Sequence, residues 1–364
     1  MEVYIFAYSF LILSCFFDRK SIDPRLKKTF LYSNVVIFTI IGGVGNWARY
    51  DDWNEYMRVF ELASWDNIFS YSKGNNANLE PGYVFVNVLF KEVFGSYTIF
   101  MLSCHFFRLF TFAYVVKRYS NYPILIFAIF AIIYVPVLMI RQYIAISFII
   151  WSLDAMWKRK LFRFSVFILL ASSFHITALF FFPFYWIGYV PCNFLLINAI
   201  YIVFMIFGPL ISDNLLGIGS NIGGEIGSRV DIYANKPAVE EKERAIITSL
   251  LNIFLLNFSY YASKFDKINK FKSTSIIYCF VMSNIIPMVF TGPLTDFARV
   301  GNIFFWTTYF MWITIFENIR KTSRFFVAIF CSYALLYIVF KFLNMPLWGG
   351  PTQYFYVPYS IVLI

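Results

Sequence analysis

The stretch PILIFAIFAIIYVPVLMIRQYIAISFIIW, Pro123 to Trp151, decides the class of the protein, since Arg141 is its only charged residue. About 20 apolar helical residues cross roughly 30 Å of hydrocarbon, and this stretch is longer than one crossing. Similar runs recur along the 364-residue chain, which is 60% hydrophobic, 23% aromatic and 14% charged, with a mean hydropathy of +0.67. A soluble chain of this length carries far more charge. The composition therefore predicts an all-α polytopic integral membrane protein.

The basic residues orient the predicted helices. Of 30 lysines and arginines, 18 lie in five short clusters, which the positive-inside rule places in the cytoplasm. The net charge of +10 thus reflects membrane orientation, and we expect no nucleic-acid partner. The clusters are Arg19–Lys28, Lys117–Arg118, Lys158–Arg163, Lys264–Lys272 and Arg320–Arg324. This scheme gives about 12 transmembrane helices with both termini outside. The predicted spans are residues 1–17, 29–46, 97–116, 121–140, 141–157, 161–174, 175–189, 192–212, 244–262, 274–291, 300–317 and 324–342, with 161–189 as one long helix the alternative.

Two longer loops, residues 46–82 and 213–243, fall on the external side, and residues 1–364 form a single predicted transmembrane domain. The apolar piece Tyr83–Phe94 fits either a re-entrant or an interfacial segment. The second loop is glycine-rich but lacks the strand–turn–helix context of a phosphate loop, which favours a flexible lid. With five dispersed cysteines and two histidines, the chain predicts no metal site and no cofactor.

Arg141 lies at the predicted outer boundary of two spans, where a lone arginine often extends to the lipid headgroups. Other polar residues share this face, however. Each has an ordinary structural reading, such as a helix cap at Asp52 or a local ion pair between Asp296 and Arg299. Together they predict an external polar cavity. They are Arg49, Asp52, Tyr56, Glu80, Gln142, His175, Arg229, Tyr233, Asp296 and Arg299. His105 and Arg108, inside the third span, either form the floor of this cavity or pair with an acid from another helix.

These residue types fit one kind of chemistry. Arginine presents a planar set of donors that suits the oxygens of a diphosphate. A histidine or a carboxylate can take the proton of an attacking hydroxyl. We rank His175 first as this base, because imidazole titrates near neutral pH. Asp52 and Glu80 are its rivals. The residues predict glycosyl transfer from a lipid diphosphate without a metal.

At these residues the chain resembles the EpsG/Wzy-type family of bacterial exopolysaccharide and O-antigen polymerases, over nearly its whole length. The resemblance implies a metal-independent membrane glycosyltransferase that joins undecaprenyl-diphosphate-linked repeat units at the outer face of the cytoplasmic membrane. It implies a lipid-linked donor and acceptor, with a chain-length regulator and a flippase as candidate partners. The motifs are D-x3-Y at Asp52 and Tyr56, E-P-G-Y at Glu80–Tyr83, Arg141–Gln142, F-H-x-T-A-L around His175, R-x3-Y at Arg229 and Tyr233, and the Asp296/Arg299 pair.

Two other functions fit a membrane protein with these charges. A flippase or transporter of lipid-linked glycan also has charges facing a cavity, but its site usually lies near the membrane midplane between repeats. A membrane acyltransferase with His175 as base is the third candidate. It requires an acyl donor, usually reached from the cytoplasm, where no catalytic cluster is evident.

Overall fold

A computed structural model of the protein describes residues 2–18, 22–44, 53–71, 79–132, 139–222, 252–253, 255–261, 263–264, 270–290, 299–318, 346–347 and 350–351. The α-helices are α1 Glu2–Cys15, α2 Pro24–Val44, α3 Trp53–Leu62, α4 Pro81–Phe94, α5 Tyr97–Tyr119, α6 Pro123–Ile132, α7 Ile140–Trp157, α8 Leu161–Ser172, α9 Phe194–Ile222, α10 Lys270–Val289, α11 Arg299–Phe305 and α12 Met311–Asn318. Three 3-10 helices cover Trp65–Asn67, Ile176–Tyr189 and Trp306–Phe310. The strands β1 Pro346–Leu347 and β2 Gly350–Pro351 form a short antiparallel pair.

The helical class predicted from the sequence is confirmed in the described residues. Two of their helices, α5 and α10, have the length and apolar composition to cross a membrane unaided. The shorter apolar helices are α1, α8, the 3-10 helix from Ile176 and the first part of α9. The figure of about 12 spans stays a prediction.

Residues 1–179 with 319–364 form one compact unit, and residues 180–318 form a second. In the first unit α2 packs along α5, and α1 packs against α2 and α6. Asn34 of α2 donates a buried hydrogen bond to Ser14 Oγ of α1 over 3.0 Å. Asp18 accepts from the backbone N–H of Leu125 over 2.8 Å, which satisfies a donor in the first turn of α6. Polar side chains therefore join the ends of apolar helices.

Helices α4 and α5 follow one another with only Gly95 and Ser96 between them. Gly95 ends α4 in the left-handed conformation, with φ 61°, which glycine adopts without a Cβ penalty. The hydroxyl oxygen of Ser96 then accepts from the N–H of Ile99 and caps α5. Tyr83 and Phe90 of α4 both place their rings within 6.2 Å of the Phe100 ring. Residues near both ends of α4 thereby pack against the start of α5.

The chain breaks between α8 and the 3-10 helix that begins at Ile176, so the alternative of one long helix over 161–189 is wrong. The backbone N–H groups of Ser173 and His175 still bond to carbonyls of α8, and the path changes only after them. Pro183 lies inside the 3-10 segment and lacks the N–H that a continuous α-helix uses. Residues 173–175 therefore form the junction between α8 and the 3-10 helix.

A charged cluster lies at the C-terminal end of α7. Asp154 binds Arg118 Nε at 3.3 Å, Lys158 Nζ at 2.7 Å and the Tyr119 hydroxyl at 2.7 Å. Lys27 Nζ also donates to the carbonyl of Asn121 over 3.4 Å. These contacts bring the basic ends of α2, α5 and α7 together. Arg141, in the first turn of α7, lies about 20 Å away along the helix axis.

In the second unit α9 packs on α10. Asn198 of α9 and Asn257 exchange side-chain hydrogen bonds of 2.8 and 3.1 Å. The predicted start of the second loop at Asp213 is wrong, because α9 continues to Ile222. The side-chain amide of Asn214 donates to the carbonyl of Leu210, one turn earlier in the helix, over 2.8 Å. The sequence DNLLGIGSNI thus extends the apolar helix despite its glycines.

Candidate functional site

An ion pair between Glu80 and Arg141 is the centre of the candidate site. Nη1 of Arg141 contacts Oε2 of Glu80, and their side chains are 23% and 16% exposed. Arg141 lies in the first turn of α7, where the partial positive charge of the helix end disfavours a cation. The Glu80 carboxylate offsets that charge. Nε of Arg141 is buried and has no hydrogen-bond partner among the described residues.

Glu80 precedes the first residue of α4, and Pro81 starts that helix. Proline followed by glycine is common in turns and predicts a turn at Glu80–Pro81–Gly82; this prediction is wrong, because a helix begins there. Proline is favoured at the first helical position, because its φ suits the helix and its missing N–H has no intrahelical partner there. Glu80 makes no capping bond with its own helix, so its carboxylate is available to other segments.

The second oxygen of Glu80 reaches the junction after α8. Oε1 accepts from the backbone N–H of Ile176 over 3.4 Å. The N–H of Gly82 donates to the carbonyl of Ser173 over 2.8 Å. A Cβ at Gly82 would lie 2.7 Å from that carbonyl oxygen, so only glycine fits without a shift. The start of α4 and residues 173–176 are consequently fastened at two points.

His175 lies between these two fastened points and is partly buried. Its Nδ1 is 2.6 Å from Oγ1 of Thr177. Phe174, before it, is 7% exposed and stacks on Phe148 of α7, with 5.6 Å between ring centroids. The structure thus brings the E-P-G-Y motif, Arg141 and the F-H-x-T motif together, as the sequence predicts for Glu80, Arg141 and His175.

Two tyrosines line the same region. The rings of Tyr56 in α3 and Tyr83 in α4 meet edge to face at 6.1 Å. Both are buried, and both hydroxyls interact electrostatically with Arg141. Tyr56, predicted from the D-x3-Y motif, therefore lies at the site. Its partner in that motif, Asp52, is outside the described residues.

Two further predicted residues, Arg108 of α5 and Gln142 of α7, are buried. Gln142 is 2% exposed, and successive residues on a helix face different directions, so it does not share Arg141's surroundings. The guanidinium of Arg108 lies 4.2 Å from the centroid of the Tyr143 ring. Arg108, His105 and Tyr143 line a small cavity between α5 and α7, large enough for about one water molecule.

The remaining predicted site residues have no described side chain. Arg299 begins α11 in the second unit, and its side chain is not described. The other four lie outside the described residues: Arg49, Arg229, Tyr233 and Asp296. Within the described part of the chain, no group of three or more histidine, cysteine, aspartate or glutamate side chains is placed to hold a metal ion.

In the sequence analysis, no role is assigned to four residues that contact the site or hold its segments together: Gly82, Tyr83, Ser173 and Thr177. Three of them belong to the quoted E-P-G-Y and F-H-x-T-A-L motifs, so the signal was present. Ser173 accepts the hydrogen bond from Gly82 through its carbonyl oxygen. No side-chain pattern reveals a backbone acceptor of this kind.

A comparison with protein families finds the EpsG family, whose model matches residues 30–361. This range includes every residue of the site described above. No curated protein matches the chain, and no solved structure matches it.

Proposed function

The chain belongs to the EpsG family, and from this premise we propose that it polymerises a surface polysaccharide from undecaprenyl-diphosphate-linked repeat units. The family indicates a membrane protein with a polysaccharide-polymerase type of role. The finer proposal places the reaction at the outer face of the cytoplasmic membrane. It is supported by the grouping of Glu80, Arg141 and His175 at the end of α7 opposite the basic cluster around Lys158.

The proposed reaction is a glycosyl transfer between two lipid-linked glycans. A hydroxyl oxygen of the acceptor sugar bonds to the anomeric carbon of the donor glycan. The bond from that carbon to the donor's diphosphate oxygen breaks, and its electron pair leaves with the lipid diphosphate. The hydroxyl proton passes to a base on the protein. The products are a longer lipid-linked glycan and free lipid diphosphate.

Arg141 is the residue that we assign to the diphosphate. Its guanidinium stays charged and offers several N–H donors in one plane, which match phosphate oxygens. One donor, Nη1, contacts Glu80, while the buried Nε has no hydrogen-bond partner among the described residues. Glu80 orients the side chain, and charge that develops on the leaving diphosphate is stabilised by a cation already in position.

His175 is the base that we propose. The observation that carries this choice is that both oxygens of Glu80 are engaged, one by Arg141 and one by the N–H of Ile176. Glu80 therefore holds Arg141 and the His175 segment together, and both of its carboxylate oxygens already accept hydrogen bonds from the protein. Asp52 stays the rival base. We also propose that Arg49, Tyr56, Arg108, Gln142, Arg229, Tyr233, Asp296 and Arg299 contribute to substrate binding.

A gene deletion tests the function itself. Loss of polymer with single repeat units still displayed on the surface supports a polymerase. Loss of both polymer and single units supports a flippase instead. Purified protein with lipid extract from the deletion strain, which accumulates unpolymerised units, then tests the base.

Removal of a general base costs about 10²–10⁴-fold in rate, so His175→Ala should lose that much while the protein remains in the membrane. Glu80→Gln should lose less, because its amide keeps one acceptor. A rate for His175→Ala above about a tenth of the parent, with Asp52→Asn inactive, assigns the base to Asp52.

A further inference from the structure

The segment from Phe174 to Ala178 is fixed along its backbone on both sides of His175. The N–H of His175 donates to the carbonyl of Ala171, and the N–H of Ala178 donates to the carbonyl of His175, each over 3.0 Å. The N–H of Ile176 donates to Glu80. The position of the His175 Cα is therefore set by bonds to α8, to α4 and to its own 3-10 turn.

Side chains on either side strengthen this attachment. Phe174 is buried and stacks on Phe148, and Ala178 is fully buried. Ile176, in contrast, is 59% exposed. Phe174 and Ala178 thus hold the segment in place, and their burial explains the first and last residues of the F-H-x-T-A pattern. What the backbone leaves undetermined is the rotation of the imidazole ring of His175.

Thr177 constrains the rotation of this ring. Its Oγ1 lies 2.6 Å from Nδ1 of His175, a short hydrogen bond between two side chains two residues apart. Bonding at Nδ1 directs the other ring nitrogen, Nε2, away from Thr177. When the hydroxyl oxygen accepts from Nδ1–H, the lone pair of the neutral ring is on Nε2.

We propose that Thr177 is a positioning residue for His175: it holds the imidazole at Nδ1 so that Nε2 takes the proton of the attacking sugar hydroxyl. The inference rests on the proposed function, since it requires His175 to be the base. As the sugar oxygen bonds to the anomeric carbon and the diphosphate leaves, the proton moves from that oxygen to Nε2. The resulting imidazolium keeps its Nδ1–H bond to Thr177, which is stronger once the ring is charged.

A purely local role is the competing explanation, because a threonine hydroxyl near a helix start often bonds to a neighbouring group for structure alone. Thr177→Val and Thr177→Ser separate the two. Valine has the shape of threonine without the hydroxyl, and serine keeps the hydroxyl without the methyl group. The probe is the lipid extract of the deletion strain, added to purified protein in liposomes.

We expect Thr177→Val to lower kcat by about 3- to 10-fold, the equivalent of one hydrogen bond, with KM unchanged. Thr177→Ser should restore kcat to within about twofold of the parent, less than the loss expected for one hydrogen bond. In a His175→Ala background the valine substitution should cause no further loss, because Thr177 acts through His175. Thr177→Ala provides the same comparison if the valine variant does not reach the membrane.

Three results would overturn the proposal. They are a parent-like kcat for Thr177→Val, a failure of serine to restore it, or an equal loss in the presence and absence of His175. These outcomes differ from failure of the proposed function. If His175→Ala keeps the parent rate, the base assignment is wrong, whereas a dead His175→Ala with a fully active Thr177→Val removes only the role of Thr177.

Discussion

Gly82 and Ser173 lie 91 positions apart in the sequence, yet the backbone N–H of one donates to the carbonyl of the other over 2.8 Å. Together with the bond from the Ile176 N–H to Glu80, this bond joins the start of α4 to the end of α8. It also places Glu80 and His175 on adjacent segments, because each is two residues from one end of the bond. The spacing of the site is consequently a property of the backbone.

Gly82→Ala should therefore reduce polymer formation. The new Cβ would clash with the Ser173 hydroxyl and would lie 2.7 Å from the Ser173 carbonyl oxygen, and relief of such overpacking typically costs about 1–3 kcal/mol. Polymer length on gels and the melting temperature of purified protein measure the effect. Adding Ser173→Ala removes the hydroxyl but leaves the carbonyl, so rescue should be partial. Parent-like polymer from Gly82→Ala alone would mean that the two segments are not tightly joined.

Arg141→Lys should impair activity while leaving expression near normal. Lysine keeps the charge but loses the planar fork, and a hydrogen bond to a charged group contributes about 1.5–3 kcal/mol. The expected loss in rate is about 10- to 100-fold. Arg58→Lys, at an exposed position of α3, is the matched control. Equal polymerisation by both lysine variants would show that Arg141 is a headgroup anchor.

Tyr143 should stabilise the fold through the contact of its ring with Arg108. The guanidinium of Arg108 lies 4.2 Å from the ring centroid, a contact that contributes about 0.5–2 kcal/mol. Tyr143→Leu should therefore lower the melting temperature more than Tyr143→Phe does. In an Arg108→Met background the melting temperatures of the two Tyr143 variants should differ less. A drop for Tyr143→Phe equal to that for Tyr143→Leu would assign the effect to the hydroxyl.

Cysteine labelling tests the membrane side of the site. In a cysteine-free background, a cysteine at Asn76 should react with an impermeant thiol reagent in intact spheroplasts. One at Ser120, beside the basic end of α5, should react only after lysis. The reverse pattern would place the site in the cytoplasm, where the proposed reaction does not occur.

The helical class and the grouping of the motif residues can be predicted from the sequence, because composition and residue type determine them. The helical class, the position of Arg141 at a helix boundary and the approach of Glu80, Arg141 and His175 all follow from apolar runs and quoted motifs. The specific pairing of Glu80 with Arg141 does not follow. It joins residues 61 positions apart, one just before α4 and the other in the first turn of α7, and many acid–arginine pairs are compatible with the same pattern.

The errors at element ends have local causes. Pro81–Gly82 is a common turn sequence, yet it starts a helix because proline is also favoured at the first helical position. The glycines after Asp213 predicted a loop, yet α9 continues through them to Ile222. A glycine in a helix costs only about 1 kcal/mol, which tertiary packing readily outweighs.

Helix α7 carries the candidate site in its first turn and the Asp154 cluster in its last, with Arg141 and Asp154 on one unbroken run of 18 residues. Inserting one residue between them would rotate one group by about 100° relative to the other and displace it by about 1.5 Å. Both groups also bond to other helices, so neither could follow that rotation without breaking its contacts. Among homologous chains, the segment between these two residues should therefore have constant length, while gaps and insertions should accumulate elsewhere.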